Sequence, residues 1–153
     1  MGIEIERKFL VNTLPKKMTP GIDICQGYLV NTPEKVVRVR IKGEKGFLTI
    51  KGSPEGLVRP EFEYPIPKTD AREMLDRFCD GNIIEKARHT CLYQDMIWVI
   101  DQFSGVNQGL VVAEIELSSP DQPFSVPQWA GPEVTDDPRY LNANLANHPY
   151  RFW

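Results

Sequence analysis

Glu4-Ile5-Glu6-Arg7-Lys8-Phe9-Leu10-Val11 decides the fold once it is read as a strand. Side chains alternate faces along a strand. Glu4, Glu6 and Lys8 therefore share one face, and Ile5, Phe9 and Val11 share most of the other. Glu and Lys are depleted in strands, so two carboxylates and an ammonium in one row need a reason. One reason is an edge strand with a solvated face. The other is a site where a divalent cation meets a phosphate. The rest of the chain decides between them.

Working outward, strand-like segments dominate. Residues 24–30 form a second, closed by Asn31-Thr32-Pro33. Residues 36–42 set Val37, Val39 and Ile41 against Arg38, Arg40 and Lys42, and a hairpin loop at 43–46 leads to a return strand at 47–51. After a turn at 52–56, residues 58–66 set Arg59, Glu61 and Glu63 against Val58, Phe62, Tyr64 and Ile66. Pro60 and Pro65 sit awkwardly there, because proline cannot donate to a ladder. Thr69 is placed to cap a helix over 70–79 that stops at Gly81-Asn82. Strands follow at 83–90, 96–103 and 111–117. Short connections imply antiparallel pairing, and about eight strands can close around one small ligand. The expectation is a mainly β (α+β) chain forming a closed eight-stranded antiparallel barrel with a few peripheral helices. Residues 1–153 read as a single domain with a C-terminal helical segment over about 136–153. There Asp136-Asp137-Pro138 starts a helix over 139–146 and Tyr150–Trp153 packs onto the body.

Composition narrows the function classes. The 153 residues are 41% hydrophobic and 25% charged, ordinary for a globular chain. A net charge of −3 gives no sign of nucleic-acid binding. Cys25, Cys79 and Cys91 match neither a disulfide framework nor a zinc pattern and read as core thiols. His89 and His148 read as structural. No apolar run approaches the ~20 residues of a membrane span, and the N-terminus lacks a signal-peptide stretch. The expected setting is cytoplasmic, with no nucleic-acid or membrane partner. A homodimer is compatible with everything above.

The charges gather on the polar faces. The acids are Glu4, Glu6, Glu61, Glu63, Asp101, Glu114 and Glu116; the bases are Lys8, Arg38, Arg40, Lys51, Arg59, Lys86 and Arg88. Two carboxylates at i and i+2 lie roughly 6.6 Å apart on one face, and each can give an oxygen to a cation. Magnesium wants about six oxygens and keeps water and phosphate among them. Arg offers planar, bidentate bonds to phosphate, and Lys adds point charge. Asp101, in an otherwise apolar run, is as such a better partner for an internal Arg than for a metal. Inside a barrel, unpaired ions would cost several kcal/mol each, so the face must pair or bind. No Gly-x-x-x-x-Gly-Lys-Ser/Thr phosphate loop occurs. Tyr28, Tyr64 and Trp98 could stack on a ring, though aromatics at strand spacing are more often core.

Glu4-x-Glu6-x-Lys8, followed in order by Arg38-x-Arg40, Lys51, Glu61-x-Glu63, Lys86-x-Arg88 and Glu114-x-Glu116, resembles the signature of the CYTH superfamily, the triphosphate tunnel metalloenzymes. The tail Glu133 to Tyr140, with Asn142 and Asn144-Leu145-Ala146, is similar to its short bacterial branch. The resemblance implies a charge-lined tunnel and metal-dependent hydrolysis of a triphosphate, inorganic triphosphate first. It implies that Lys8, Arg38, Arg40, Lys51, Lys86 and Arg88 hold substrate, with Arg59 and Arg139 as further candidates. Of these, Lys8, Arg38, Arg40 and Lys86 would be catalytic. Glu4, Glu6, Asp101, Glu114 and Glu116 would hold Mg²⁺ or Mn²⁺, with Glu61 and Glu63 completing the acidic side. ATP cyclisation, thiamine triphosphate hydrolysis and a non-catalytic polyphosphate-binding module are the rival readings.

Overall fold

The computed structural model describes residues 2–80 and 83–153. The expected helix stop at Gly81-Asn82 lies outside them. The strands are β1 (Ile3–Val11), β2 (Ile22–Asn31), β3 (Lys35–Lys42), β4 (Lys45–Gly52), β5 (Val58–Ile66), β6 (Ile83–Tyr93), β7 (Met96–Phe103), β8 (Val111–Glu116) and β9 (Ala130–Glu133). The helices are α1 (Lys68–Phe78) and α2 (Asn142–Asn147). Antiparallel ladders run β5-β4-β3-β2-β6-β7-β8-β1, and a further β5–β1 pairing closes eight strands into a barrel.

β1 is the stave where closure happens. One edge pairs with β8, setting Glu6 beside Glu116 and Lys8 beside Glu114. The other edge is shared: Glu4 pairs with Arg59 on β5, and Phe9 with Glu133 on β9. β9 was not anticipated, since Ala130-Gly-Pro-Glu133 has no strand pattern; it forms because β5 leaves the second half of that edge unpaired. β6 runs three residues past the expected end, to a tight turn at Gln94-Asp95, both left-handed (φ 47° and 64°).

Outside the barrel, the apolar faces are covered in two sectors. Ala71 and Leu75 of α1 and Cys79 just after it pack on Val39 and Ile41. Phe124 and Trp129, from the chain after β8, pack on Trp98 and Phe9. Over β4 and β5 the outward Ile50, Phe62 and Tyr64 stay exposed. Helix α1 differs from expectation at its start. Pro67, not Thr69, occupies the cap position, with no side-chain cap bond, and Ala71 N–H to Pro67 O closes the first turn. The C-terminal helix is also split. Asp137 caps a 3-10 turn at Pro138–Tyr140 by accepting from Arg139 N–H, extended Leu141 follows, and α2 then begins at Asn142.

Inside, the inward row of each strand changes character along the axis. At one end it is apolar: Leu10, Tyr28, Val36, Ile84, Phe103 and Val112. Tyr140, Leu145 and Ala146 of the C-terminal segment pack into that end, with Leu145 fully buried. Further along, the same rows carry Lys8, Arg38, Lys86, Asp101 and Glu114, so the plugged end fixes where the charged bore begins. Among the described residues, no helix is long and apolar enough to cross a membrane.

Candidate active site

The bore holds a cavity of about 650 Å³ lined by Glu4, Glu6, Arg38, Arg40, Lys51, Glu61, Glu63, Lys86, Arg88, Glu114 and Glu116, with Asn142 at its floor. Fourteen inward charges were expected to converge there, and most do. A second cavity of about 660 Å³ shares Glu4 and Glu6 and adds Lys8 and Arg59 beside Asn31 and Asn144.

Strand register sorts the charges. The neighbouring strands β8 and β1 place Glu114, Glu116, Glu4 and Glu6 together as an acidic wall. β3, β4 and β6 carry Arg38, Arg40, Lys51, Lys86 and Arg88 as a basic one. Most members have an ion-pair partner on an adjacent or next-nearest strand. Lys51 Nζ donates to both oxygens of Glu4, at 3.0 and 3.1 Å, and lies 3.8 Å from Glu61. Arg40 donates to Glu63 at 3.0 Å, and Thr49, fully buried, donates to the same oxygen while accepting from Arg38. Lys8 Nζ donates to the Tyr140 carbonyl at 3.1 Å and lies 3.5 Å from Glu114.

Asp101 differs from its expected role. Arg88 forks onto both its oxygens, at 2.8 and 2.9 Å, and Lys86 adds a contact of 2.7 Å. With both oxygens taken, Asp101 orients two bases instead of standing free for a metal. Burial pushes its pKa up, but Lys86 and Arg88 outweigh that and hold it well below the usual carboxylate range. Burial brings Lys86 down to about 8; the Asp101 carboxylate resists, and Arg88 adds to the fall. Against burial, Lys8 brings Glu114 down to about 2.

Glu6 is the opposite case. Burial, then Glu114, then Glu4 push its pKa up to about 8. Among the described residues, neither Glu6 nor Glu116 forms an ion pair within the chain, though they are register partners. Oxygen donors held close with too little positive charge are what a hard divalent cation would relieve. No three of the described Asp, Glu, His or Cys side chains form a finished cage. The carboxylates line the wall in pairs, which suits an ion that completes its shell with water and phosphate oxygens.

Two candidates lie elsewhere. Arg59 donates to the Gly52 carbonyl and borders the second cavity. Arg139 is bound to Asp137 at 2.8 Å and stacks 4.8 Å from the Trp153 ring, away from both cavity linings. The tail places it there because Asp137, two residues earlier, is its nearest carboxylate. Tyr28, Tyr64 and Trp98 do not converge: Tyr28 lines the plugged end, Tyr64 faces out, and Trp98 is in the outer core. His89 bonds Thr19 O and Gln102, and the three cysteines are free thiols.

Three polar residues of the bore lie outside the expected site: Gln26, Thr49 and Asn142, the last quoted only for the tail's resemblance. Gln26 is fully buried and donates to Tyr28 Oη. For Gln26 and Thr49 the signal was in the alternation, since each shares the inward parity of its strand's charges. Asn142 carried no such signal, because it comes from the plug.

A closed antiparallel barrel with facing acidic and basic walls defines a tunnel protein suited to holding a polyanion beside a cation. The chain belongs to the CYTH family: the CYTH domain model matches residues 2–150. It is 45% identical over 152 residues to an inorganic triphosphatase of Acetivibrio thermocellus, covering 99% of this chain and 97% of the relative. It is 40% identical over 147 residues to an inorganic triphosphatase of Nitrosomonas europaea, covering 94% and 96%. The crystal structure of the inorganic triphosphatase NE1496 superposes with a TM-score of 0.69 at 38% identity, covering 94% of this chain and 93% of that one.

Proposed function

We propose that this chain hydrolyses inorganic triphosphate to diphosphate and orthophosphate with Mg²⁺ or Mn²⁺. The observation that carries the reading is the Glu6–Glu116 pair, without an ion partner among the described residues and facing a wall of five bases. The names of the relatives support the choice of substrate. The scattering of Tyr28, Tyr64 and Trp98 disfavours a substrate with a ring.

Phosphoryl transfer rests on positioning and charge neutralisation. Arg38, Arg40, Lys51 and Arg88 hold phosphate oxygens, with Lys8 and Arg59 at the far side of Glu4 and Glu6. Lys51 gives up Glu4 for phosphate, which frees that carboxylate. Glu4, Glu6, Glu114 and Glu116 would hold the divalent ion, which when bound neutralises phosphate charge and acidifies a water. Glu61 and Glu63 orient the bases opposite them, as Asp101 does for Arg88 and Lys86. Protonated, Lys86 is a phosphate ligand; deprotonated, its Nζ lone pair can take the proton of the attacking water.

The test is phosphate release from triphosphate, ATP, thiamine triphosphate and long-chain polyphosphate, each with Mg²⁺ and with Mn²⁺. Turnover of triphosphate far above the other three is expected. Tight binding without turnover under either metal would make the chain a polyphosphate-binding module instead.

A further inference from the structure

The bore is not completed by the barrel alone. Two of its lysines end on the C-terminal segment: Lys8 Nζ donates to the Tyr140 carbonyl at 3.1 Å, and Lys86 Nζ to Asn142 Oδ1 at 2.9 Å. Both lysines are at least nine-tenths buried, at 5% and 4% exposed. An ammonium has three hydrogens to place. For Lys86, Asp101 takes one at 2.7 Å and Asn142 a second. The third is left for the cavity that Lys86 and Asn142 both line. Asn142 is fixed in turn from behind. It opens α2, whose Leu145 is fully buried in the plugged end. The preceding turn is tied down by Arg139, which binds Asp137 and stacks on Trp153, itself edge-on to Tyr140.

We infer that Asn142 is a positioning residue for Lys86: its carboxamide oxygen, carried by the plug, aims the Lys86 ammonium at the triphosphate. The inference rests on the proposed triphosphate reading. It assigns the C-terminal segment a part in the site, beyond closing one end of the tunnel. Asp101 alone leaves Lys86 free to turn about a single contact, and Arg88 already holds both oxygens of that carboxylate. A second acceptor, on the plug, removes that freedom before substrate arrives, which is how a supporting contact strengthens binding.

The experiment is a double-mutant cycle between Asn142→Leu, close in shape but without the acceptor, and Lys86→Met. The readout is the Kd of inorganic triphosphate by calorimetry at pH 7 without added metal, which stays measurable if Lys86→Met has no turnover. Asn142→Leu alone is expected to weaken binding about 10-fold or more, the scale of a hydrogen bond to a charged group. In the Lys86→Met background the same change should shift Kd by less than about twofold. Thermal midpoints of all four proteins guard against a folding effect, and Asn142→Ala replaces the Leu variant if that one is destabilised. Lys86→Met binding as well as wild type would remove Lys86 as a ligand and this inference with it. A loss at position 142 that persists in full without Lys86, or no loss at all, overturns the role of Asn142 and leaves the reading of the bore standing.

Discussion

Arg88 closes a two-point fork on Asp101, at 2.8 and 2.9 Å, in a part of the barrel where the carboxylate is only 2% exposed. The pair sets the basic wall of β6, since the same carboxylate holds Lys86. Removing one member of a buried ion network is far more costly than never having had it, because the other charges are left unpaired. Asp101→Asn should therefore lower stability by about 3–5 kcal/mol, read from urea unfolding at pH 7. The pH dependence has a definite sign. The folded-state pKa lies below the ordinary 3.8, so the contribution is complete above that value and fades as pH falls through the folded pKa. The gap between wild type and variant should shrink when the titration is repeated at pH 3. A constant gap would mean that the loss is one of shape and not of charge.

Glu6 sits beside Glu116 and Glu114 and, among the described residues, has no ion-pair partner; Lys8 and Lys51 offset the crowding only in part. Glu6→Gln keeps the shape and fixes the neutral form that burial and crowding already favour at pH 7. In metal-free protein this variant should unfold at the same temperature as wild type or a few degrees higher. Mg²⁺ or Mn²⁺ should raise the midpoint of wild type by mass action and leave the variant nearly unmoved, with turnover abolished. Equal metal shifts in the two proteins would take Glu6 out of the metal site.

Lys86, brought down to about 8 mainly by burial, predicts a pH limb in turnover. If its neutral amine takes the proton of the attacking water, kcat at saturating triphosphate and metal rises with pH. The midpoint falls at or above about 8, because bound phosphate charge holds the proton on. Lys86→Arg cannot lose its proton in this range and should flatten the limb while lowering kcat by a factor of about 10² or more, the usual weight of general-base help. An arginine variant with the wild-type limb would place the titrating group elsewhere.

How far the sequence carries depends on the direction in which it is read. Along a strand, alternation is a direct physical signal. It separated Glu4, Glu6 and Lys8 from Ile5 and Phe9, and the bore from the outer core, because a pleated strand offers two faces. Across strands it is silent: that β1 lies beside β8, with Glu6 next to Glu116, follows from register alone. It could not say which charges neutralise one another. Asp101 became a partner of Arg88 and Lys86, and Glu6 was left without one, through distances that only register and closure set. Alternation is also silent along the tunnel axis. Leu10, Tyr28, Val36, Ile84, Phe103 and Val112 have the parity of the charged residues, yet they form a single apolar ring that calls for a plug. The plug, in turn, is a six-residue helix with no side-chain cap, too short to declare itself by periodicity. The contact of Asn142 with Lys86 and the position of Arg139 are not legible in the sequence for that reason.

The plug itself can be weighed at Leu145. Its side chain is fully buried between Tyr140, Ala146 and the apolar ring of the barrel. Truncation to alanine leaves a cavity that a short helix tied to a turn cannot easily collapse, and buried Leu→Ala changes cost about 2–5 kcal/mol. Two outcomes are then distinguishable in one variant. If the C-terminal segment unfolds together with the barrel, Leu145→Ala lowers the urea midpoint in a single transition and KM for triphosphate is little changed below it. If the segment can loosen by itself, the Tyr140 carbonyl and Asn142 leave Lys8 and Lys86 before the barrel melts, and KM rises while global unfolding barely moves. The shared hydrogen bonds to both lysines, and the burial of Tyr140 in the same cluster, favour the first. Leu145→Ala is therefore expected to unfold in one cooperative step at a lower urea concentration, with KM within about twofold of wild type while folded. A KM rise at full global stability would show that the plug moves independently of the tunnel it closes.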